Sequence, residues 1–262
     1  MNFFFGFQNE IISSEITVPK FDYSGKQIFS DYKIFSAEPD NEYWKVKIAK
    51  VEENKNFFLI KNSEINNKKI FFLSKESQIK DNLIRNDKLK NLYKFNSFSD
   101  NKIVEFRANL KIYLENYGFS SYQSDYNFNL CKLGGNILSP INSLLDRNSE
   151  TNIIIFRNIC TEPIFKKYKY YFIDFNKKKI LYSNYVTNNL SNEIIVPNSM
   201  INDGVFFFTV GIIGIPIFIS IKEGHLSMEH THPPHHYILS QDRFNLVNNL
   251  KDKFKKIVEF ND

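Results

Sequence analysis

Alternation of apolar and polar residues is the clearest pattern in this 262-residue chain. Between residues 104 and 115 every second position is apolar, and charged or polar residues fill nearly every position between. A period of two rejects a helix and predicts a β-strand with one buried face. A strand of about eleven residues is longer than usual, so we expect it to belong to a large sheet.

Shorter β-rich segments occupy much of the remaining chain. They share β-branched and aromatic residues set between polar turns, and comprise residues 44–48, 57–60, 70–73, 152–159, 170–175 and 180–186. The first two predict one hairpin and the last two predict another.

Helical periodicity is weaker and occurs in two places. Residues 77–93 carry a loose apolar stripe, and residues 240–258 carry a clear amphipathic one, with Ser240 or Asp242 as its cap. The predicted fold is therefore mainly β. We expect a large antiparallel sheet assembly, sandwich or barrel-like, with a C-terminal amphipathic helix and one or two short helices.

The polar, turn-rich segment 95–102 offers the most natural boundary. It predicts an N-terminal β-rich part over residues 1–98 and a C-terminal β-rich part over residues 99–262. A single continuous domain is the alternative, since 262 residues suit either arrangement.

Charge and composition narrow the range of partners. The net charge of +5 comes from 34 basic and 29 acidic residues that are well mixed, so no nucleic-acid partner is expected. Two cysteines, Cys131 and Cys160, provide no disulfide framework, and the N-terminus lacks the pattern of a secretory signal. Cytoplasmic residence is the resulting default expectation.

Residues 205–221 raise the question of a membrane span, because they contain no charge. Seventeen residues lie at the lower edge of a spanning helix (roughly 17–25 residues). Gly211, Gly214 and Pro216 interrupt the run, and Phe, Ile and Val dominate the rest, which favours two buried strands. No membrane span is expected.

All five histidines lie between residues 225 and 236. Glu223-Gly224 suits a two-residue hairpin turn, which would place Ile217 opposite His230 and Ile215 opposite His232. An apolar, core-directed row would then end in the two histidines. The residues predicted for this row are Ile217, Ile219, Ile221, Leu226, Met228, His230 and His232. The opposite face, with Phe218, His225 and Glu229, is predicted to be mostly polar.

Two histidines at positions i and i+2 of a strand point the same way, about 7 Å apart, which suits a shared metal ion. Pro233-Pro234 stiffens the following backbone, so that His235 or His236 could supply a third nitrogen. We therefore expect a metal-binding β protein that uses His230, His232, His235 and His236, with zinc or iron as the divalent transition metal. Such a protein either only binds the metal or is a metal-dependent enzyme acting on a small or glycan-like substrate.

The alternative is a non-catalytic structural or recognition protein. Its histidine loop would be a fold staple or a subunit contact, since a buried imidazole needs only a hydrogen bond. The aromatic residues Tyr113, Tyr117, Phe119, Tyr122 and Tyr126 could then form a stacking platform for a sugar or another flat ligand.

Two local resemblances accompany the histidine segment. Gly224, His230 and His232 are similar to the opening of the first cupin motif, whose later glutamate position holds His236 or Tyr237 here. His230 to Pro233 with Ser240 resembles the zinc motif of JAMM-type isopeptidases, whose ligand aspartate position holds Arg243 here. Each resemblance breaks at a ligand, so neither family is assigned.

Overall fold

The computed structural model describes residues 2–21, 32–80, 83, 87–92, 108–115, 117–123, 125–230 and 240–261. Strands account for 49% of the structure and form four antiparallel sheets, which confirms the predicted mainly-β fold. The architecture is sandwich-like, and the described part of the chain contains two α-helices.

The chain divides into two compact units. The first comprises Met1–Lys132, Asn158–Phe165 and Asn189–Ser191, and the second comprises Leu133–Arg157, Lys166–Asn188 and Asn192–Asp262. The boundary predicted after residue 98 lies outside the described residues. Residues 109–127 belong to the first unit, because they form strands that pair with its N-terminal strands.

The first unit contains two sheets. Its strands are β1 (Asn2–Phe4), β2 (Ile12–Pro19), β3 (Tyr32–Asp40), β4 (Tyr43–Ile48), β5 (Glu52–Glu53), β6 (Phe57–Ile60), β7 (Ile70–Lys75), β8 (Lys88–Leu89), β9 (Asn109–Leu114), β10 (Phe119–Gln123) and β11 (Asp125–Asn127). One sheet has the order β11-β1-β7-β3-β4-β8, and the other has the order β10-β9-β2-β6-β5. Helix α1 (Glu76–Lys80) follows β7 directly, and single 3-10 turns occupy Asn62–Glu64 and Phe128–Leu130.

The alternating segment forms β9, and the predicted face is buried. Leu110 and Ile112 are fully buried and Leu114 nearly so, whereas the positions between them are exposed or half-buried. β9 pairs with β2, whose Ile16 lies opposite Leu110 and is also fully buried. The predicted residues 104–107 of this strand lie outside the described part of the chain.

Two predictions for the first unit are wrong. Residues 44–48 and 57–60 do not form a hairpin: β4 pairs with β3 and β8, whereas β6 pairs with β2 and β5. Of the helix predicted over residues 77–93, the described residues contain only α1, and Leu89 lies in β8 opposite Trp44. Pairing with a distant, fully buried Trp44 outweighs the loose helical stripe there.

The second unit also contains two sheets. Its strands are β12 (Leu138–Pro140), β13 (Thr151–Arg157), β14 (Lys167–Asp174), β15 (Lys179–Thr187), β16 (Ser191–Ile195), β17 (Val205–Thr209), β18 (Ile215–Lys222) and β19 (His225–His230). One sheet has the order β12-β17-β14-β15, and the other has the order β16-β13-β18-β19. The predicted hairpin of residues 170–175 and 180–186 is confirmed as β14 and β15.

These two sheets pack face to face around an aromatic and aliphatic core. Phe172 and Phe207 project from one sheet, and Phe156 and Phe218 project from the other. The rings of Phe156 and Phe207 meet edge to face with their centroids 6.0 Å apart. Burial of large side chains from both sheets makes this unit a β-sandwich.

The C-terminal helix covers the outer face of one sheet. Helix α2 (Arg243–Asn261) packs Phe254, Ile257 and Val258 against Tyr171 and Phe208, which point away from the sandwich core. Central strands β14 and β17 are therefore buried on both faces, so their sequences are almost continuously apolar.

The uncharged residues 205–221 form β17, a turn and most of β18, as predicted. Gly211 in that turn has a φ of 74°, a left-handed conformation that glycine adopts readily. Among the described residues no helix has both the length and the apolarity needed to cross a membrane.

Candidate functional site

The β18–β19 hairpin turns at Glu223 and Gly224, as the sequence predicts. Both residues have positive φ, 50° and 75°, which is the signature of a type I′ turn. Ile219 lies opposite Met228, and Ile217 lies opposite His230. The register predicted for the described part of the hairpin is therefore confirmed.

The two faces of β18 differ from the prediction in one respect. Ile217 and Ile219 are fully buried as expected, but Phe218 on the opposite face is also fully buried, and Ser220 is nearly so. The face predicted to be mostly polar is thus the sandwich interior along β18. The reason is that β18 lies between β13 and β19 and packs its Phe218 face against the other sheet.

Along β19 the predicted alternation holds. His225 and Glu229 are exposed on one face, whereas Met228 is buried and His230 is half-buried on the other. The face with His225 and Glu229 is exposed because β19 is the edge strand of its sheet. His230 is therefore the described histidine whose side chain shares a face with buried apolar residues.

The other three predicted ligands, His232, His235 and His236, lie outside the described residues. Within the part of the chain that is described, no three His, Cys, Asp or Glu side chains are arranged to hold a metal ion. The structure thus places one of the four predicted ligands.

Both cysteines are buried and form no disulfide. The Cys160 thiol lies 3.0 Å from the side-chain oxygen of Asn158, which is itself fully buried. A thiol held in this way is a packing and hydrogen-bonding group rather than an accessible nucleophile.

A polar network that the sequence patterns did not predict surrounds the buried side chains of Asn152 and Ser220 in the second unit. The Asn152 amide donates to the backbone oxygen of Asp146 and to the side chain of Asn198, both at 2.9 Å. Its oxygen accepts from the Ser220 hydroxyl at 2.6 Å, and that hydroxyl accepts from the Asp146 amide at 2.9 Å. Every polar atom of the Asn152 side chain is satisfied, which is typical of a structural network.

The sequence does contain a signal for this network. Asn152 and Ser220 are polar residues inside apolar strands, and they are direct cross-strand partners in β13 and β18. That signal becomes visible only when the pairing of the two strands is known.

Exposed aromatic residues lie on the outer face of the five-stranded sheet in the first unit. Phe119 is 63% exposed and lies directly opposite Tyr113, and the Lys111 ammonium lies 4.8 Å and 5.2 Å from the two ring centres. Partial burial and the nearby charge of Glu15 raise the pKa of Tyr113 above its usual value. We call Lys111, Tyr113 and Phe119 the aromatic face.

The five aromatic residues grouped by the sequence analysis are not one platform. Tyr126 is fully buried, and its hydroxyl donates to the backbone oxygen of Leu130 at 3.1 Å. Tyr122 is half-buried, and burial together with the charge of Asp125 raises its pKa to about 12. Tyr117 is exposed in the turn between β9 and β10. The exposed rings of the five are therefore Tyr117 and Phe119, with Tyr113 half-buried beside Phe119.

Comparison with known proteins adds no family assignment, because no family model, no curated protein and no solved structure matches this chain.

Proposed function

We propose that this protein binds a divalent transition metal, zinc or iron, through His230, His232 and one of the pair His235 and His236. The observation that carries the proposal is the hairpin register. It places His230 opposite the fully buried Ile217, with its side chain on the same face as Met228. A register shifted by one residue would have placed Glu229 there instead.

The chemistry of imidazole supports this choice of ligand. Two residues further along an extended chain, His232 would repeat the direction of His230 at about 7 Å, a spacing that one metal ion can bridge. Three nitrogen ligands would leave one coordination position for water, which a bound zinc ion activates near neutral pH. In an enzyme, that water would hydrolyse a small or glycan-like substrate.

The test is metal analysis of the tag-free protein together with zinc titration. Wild-type protein is expected to bind one equivalent, and His230→Ala combined with His232→Ala should abolish binding. His225→Ala is the matched control, because His225 is exposed on the opposite face of the same strand and should leave binding unchanged.

Three results would overturn the proposal. They are the absence of stoichiometric metal in the purified protein, zinc binding that survives the double substitution, and zinc binding that the His225 substitution reduces equally. If the wild type contains no metal and the double variant loses thermal stability, the two histidines would instead have a structural role in the fold.

A second candidate function is ligand recognition without catalysis, and the aromatic face favours it. The exposed ring of Phe119 lies opposite the half-buried ring of Tyr113 and beside Lys111, and such rings can stack on the flat faces of sugars. Binding of soluble oligosaccharides, followed by calorimetry, should be lost in Phe119→Ala. It should persist in Tyr185→Ala, which removes a 53% exposed ring from another sheet.

A further inference from the structure

A groove with lysines at its rim lies between the β14–β15 turn and the last turns of α2. Its volume is about 730 Å³, and apart from Asn261 its lining consists of Phe175, Ile257, Phe260, Lys178, Lys253 and Lys256. We call these six residues the lysine-rimmed groove. A volume of this size falls within the range of sites for small ligands, about 300–1,000 Å³.

The floor of the groove is apolar and firmly held. The ring of Phe175 stacks on that of Phe254, with centroids 4.9 Å apart, and Phe254 is fully buried. Ile257 is buried beside them. Phe260, by contrast, is 93% exposed at the end of the helix, so a large apolar ring beside this floor is left in water.

The charged side chains that line the groove are all lysines. Among the described residues, Lys178, Lys253 and Lys256 form no ion pair, whereas their neighbours are already paired. Lys177 binds Asp174 at 3.0 Å, and Lys255 binds Asp252 at 2.8 Å. An anionic group entering the groove would therefore meet unpaired ammonium groups.

We propose that the lysine-rimmed groove binds a medium- or long-chain carboxylate, with its acyl chain against Phe175, Ile257 and Phe260. The carboxylate would lie between Lys178 and the two helix lysines. Affinity should increase with each methylene group that is removed from water, so a chain of several carbons is needed for measurable binding. An anion without an apolar chain would contact the lysines only and would leave the apolar floor of the groove uncovered.

Calorimetric titration with decanoate, kept below its micelle concentration, tests this proposal. Binding is expected for decanoate and not for acetate, which lacks the chain, or for decyltrimethylammonium, which reverses the charge. The double substitution Lys253→Ser and Lys256→Ser should weaken decanoate binding by about tenfold or more.

Two matched controls separate the groove from general properties of the helix. Lys255→Ser removes a lysine of the same helix that is paired with Asp252 and lies outside the groove, so it should change affinity less than about twofold. Phe260→Ser should weaken binding, whereas Phe244→Ser, at a 54% exposed ring elsewhere on the helix, should not. Because both rings are exposed, circular dichroism should show unchanged folding.

The proposal fails if decanoate does not bind at millimolar concentration, or if decyltrimethylammonium binds equally well. It also fails if the Lys255 substitution weakens binding as much as the double substitution does. Binding to vesicles that contain acidic phospholipid, without binding of free decanoate, would replace the ligand site by a membrane contact. Metal content is independent of each of these outcomes.

Discussion

Central and edge strands of the second unit make an instructive contrast, because each of its two long hairpins contains one of each. In β14 and β18 the successive residues Tyr170–Asp174 and Pro216–Ile221 are all buried. In their partners β15 and β19 most residues are exposed or half-buried. Residues that hydrogen bond directly across a hairpin thus have very different surroundings.

The contrast explains what the sequence of each strand looks like. A central strand lies between neighbours and is covered on both faces, so it is almost continuously apolar. An edge strand keeps at most one covered face and carries polar or charged residues that discourage pairing with another chain. Stability should therefore depend on β14 and β18 far more than on β15 and β19.

The largest expected effect is that of Phe172→Ala. Phe172 is fully buried in the sandwich core, and its ring lies 5.9 Å from those of Tyr170 and Phe207. Its removal should reduce the free energy of unfolding by about 3–5 kcal/mol, measured by urea denaturation. Tyr185→Ala on the partner strand should cost about 1 kcal/mol or less, because that ring is 53% exposed. Equal losses in the free energy of unfolding for the two variants would contradict the proposed difference between central and edge strands.

A second comparison uses the same residue type on the two kinds of strand. Asn152→Ala should cost about 1–3 kcal/mol, because it leaves the buried Ser220 hydroxyl without its acceptor and the backbone oxygen of Asp146 without the amide that donates to it. Asn184→Ala on edge strand β15 should change stability by about 0.5 kcal/mol or less, since its hydrogen bonds are exposed to water. Thermal denaturation of both variants measures the difference, and a neutral Asn152 variant would show that the network is dispensable.

Local patterns predicted much of the fold. The alternation in β9, the Glu223-Gly224 turn and the amphipathic stripe of α2 each depend on residues close in sequence. Pairings between distant strands were not predictable in the same way. The hairpin expected of residues 44–48 and 57–60 is wrong because an alternating strand fits several partners equally well.

In the candidate site too, the features that depend on residues close in sequence were predictable, and those that depend on distant segments were not. The direction of His230 follows from counting residues back to the turn. The burial of Phe218, in contrast, depends on the opposite sheet, which the sequence of β18 does not specify. The lysine-rimmed groove joins residues 175–178 to residues 253–260, and no local pattern connects segments so far apart.

The turns that join central to edge strands provide a smaller, pH-dependent test. Hydrogen bonds from the backbone and side chain of Lys177 lower the pKa of Asp174 below its ordinary value of 3.8. The folded protein therefore binds this proton more weakly than the unfolded chain does. The resulting stabilisation is complete well above pH 3.8 and is lost as the pH falls towards the folded pKa.

Asp174→Asn should remove that part of the pH dependence while keeping an oxygen for the Lys177 amide. Denaturation midpoints measured between pH 2 and pH 7 should then fall less steeply on the acid side than those of the wild type. Lys177→Met should retain part of the dependence, because the backbone hydrogen bond remains and is the largest cause of the shift. Identical acid profiles for the wild type and the Asn variant would contradict the assignment.

The smallest expected effect lies in the other turn, and it is a gain. Glu223 adopts a φ of 50° at the first central position of the type I′ turn, a conformation that asparagine tolerates better than glutamate. Glu223→Asn should therefore raise the free energy of unfolding by about 0.5 kcal/mol. Glu223→Ala is the control, because it removes the same carboxylate without relieving the backbone strain, and it should give no gain.

The backbone amide of residue 223, which donates to Glu150 at 3.1 Å, is present in both variants. A difference between them in urea denaturation therefore reports the turn conformation. Equal stability of the two variants would mean that strand pairing, rather than the turn residue, sets the stability of the hairpin.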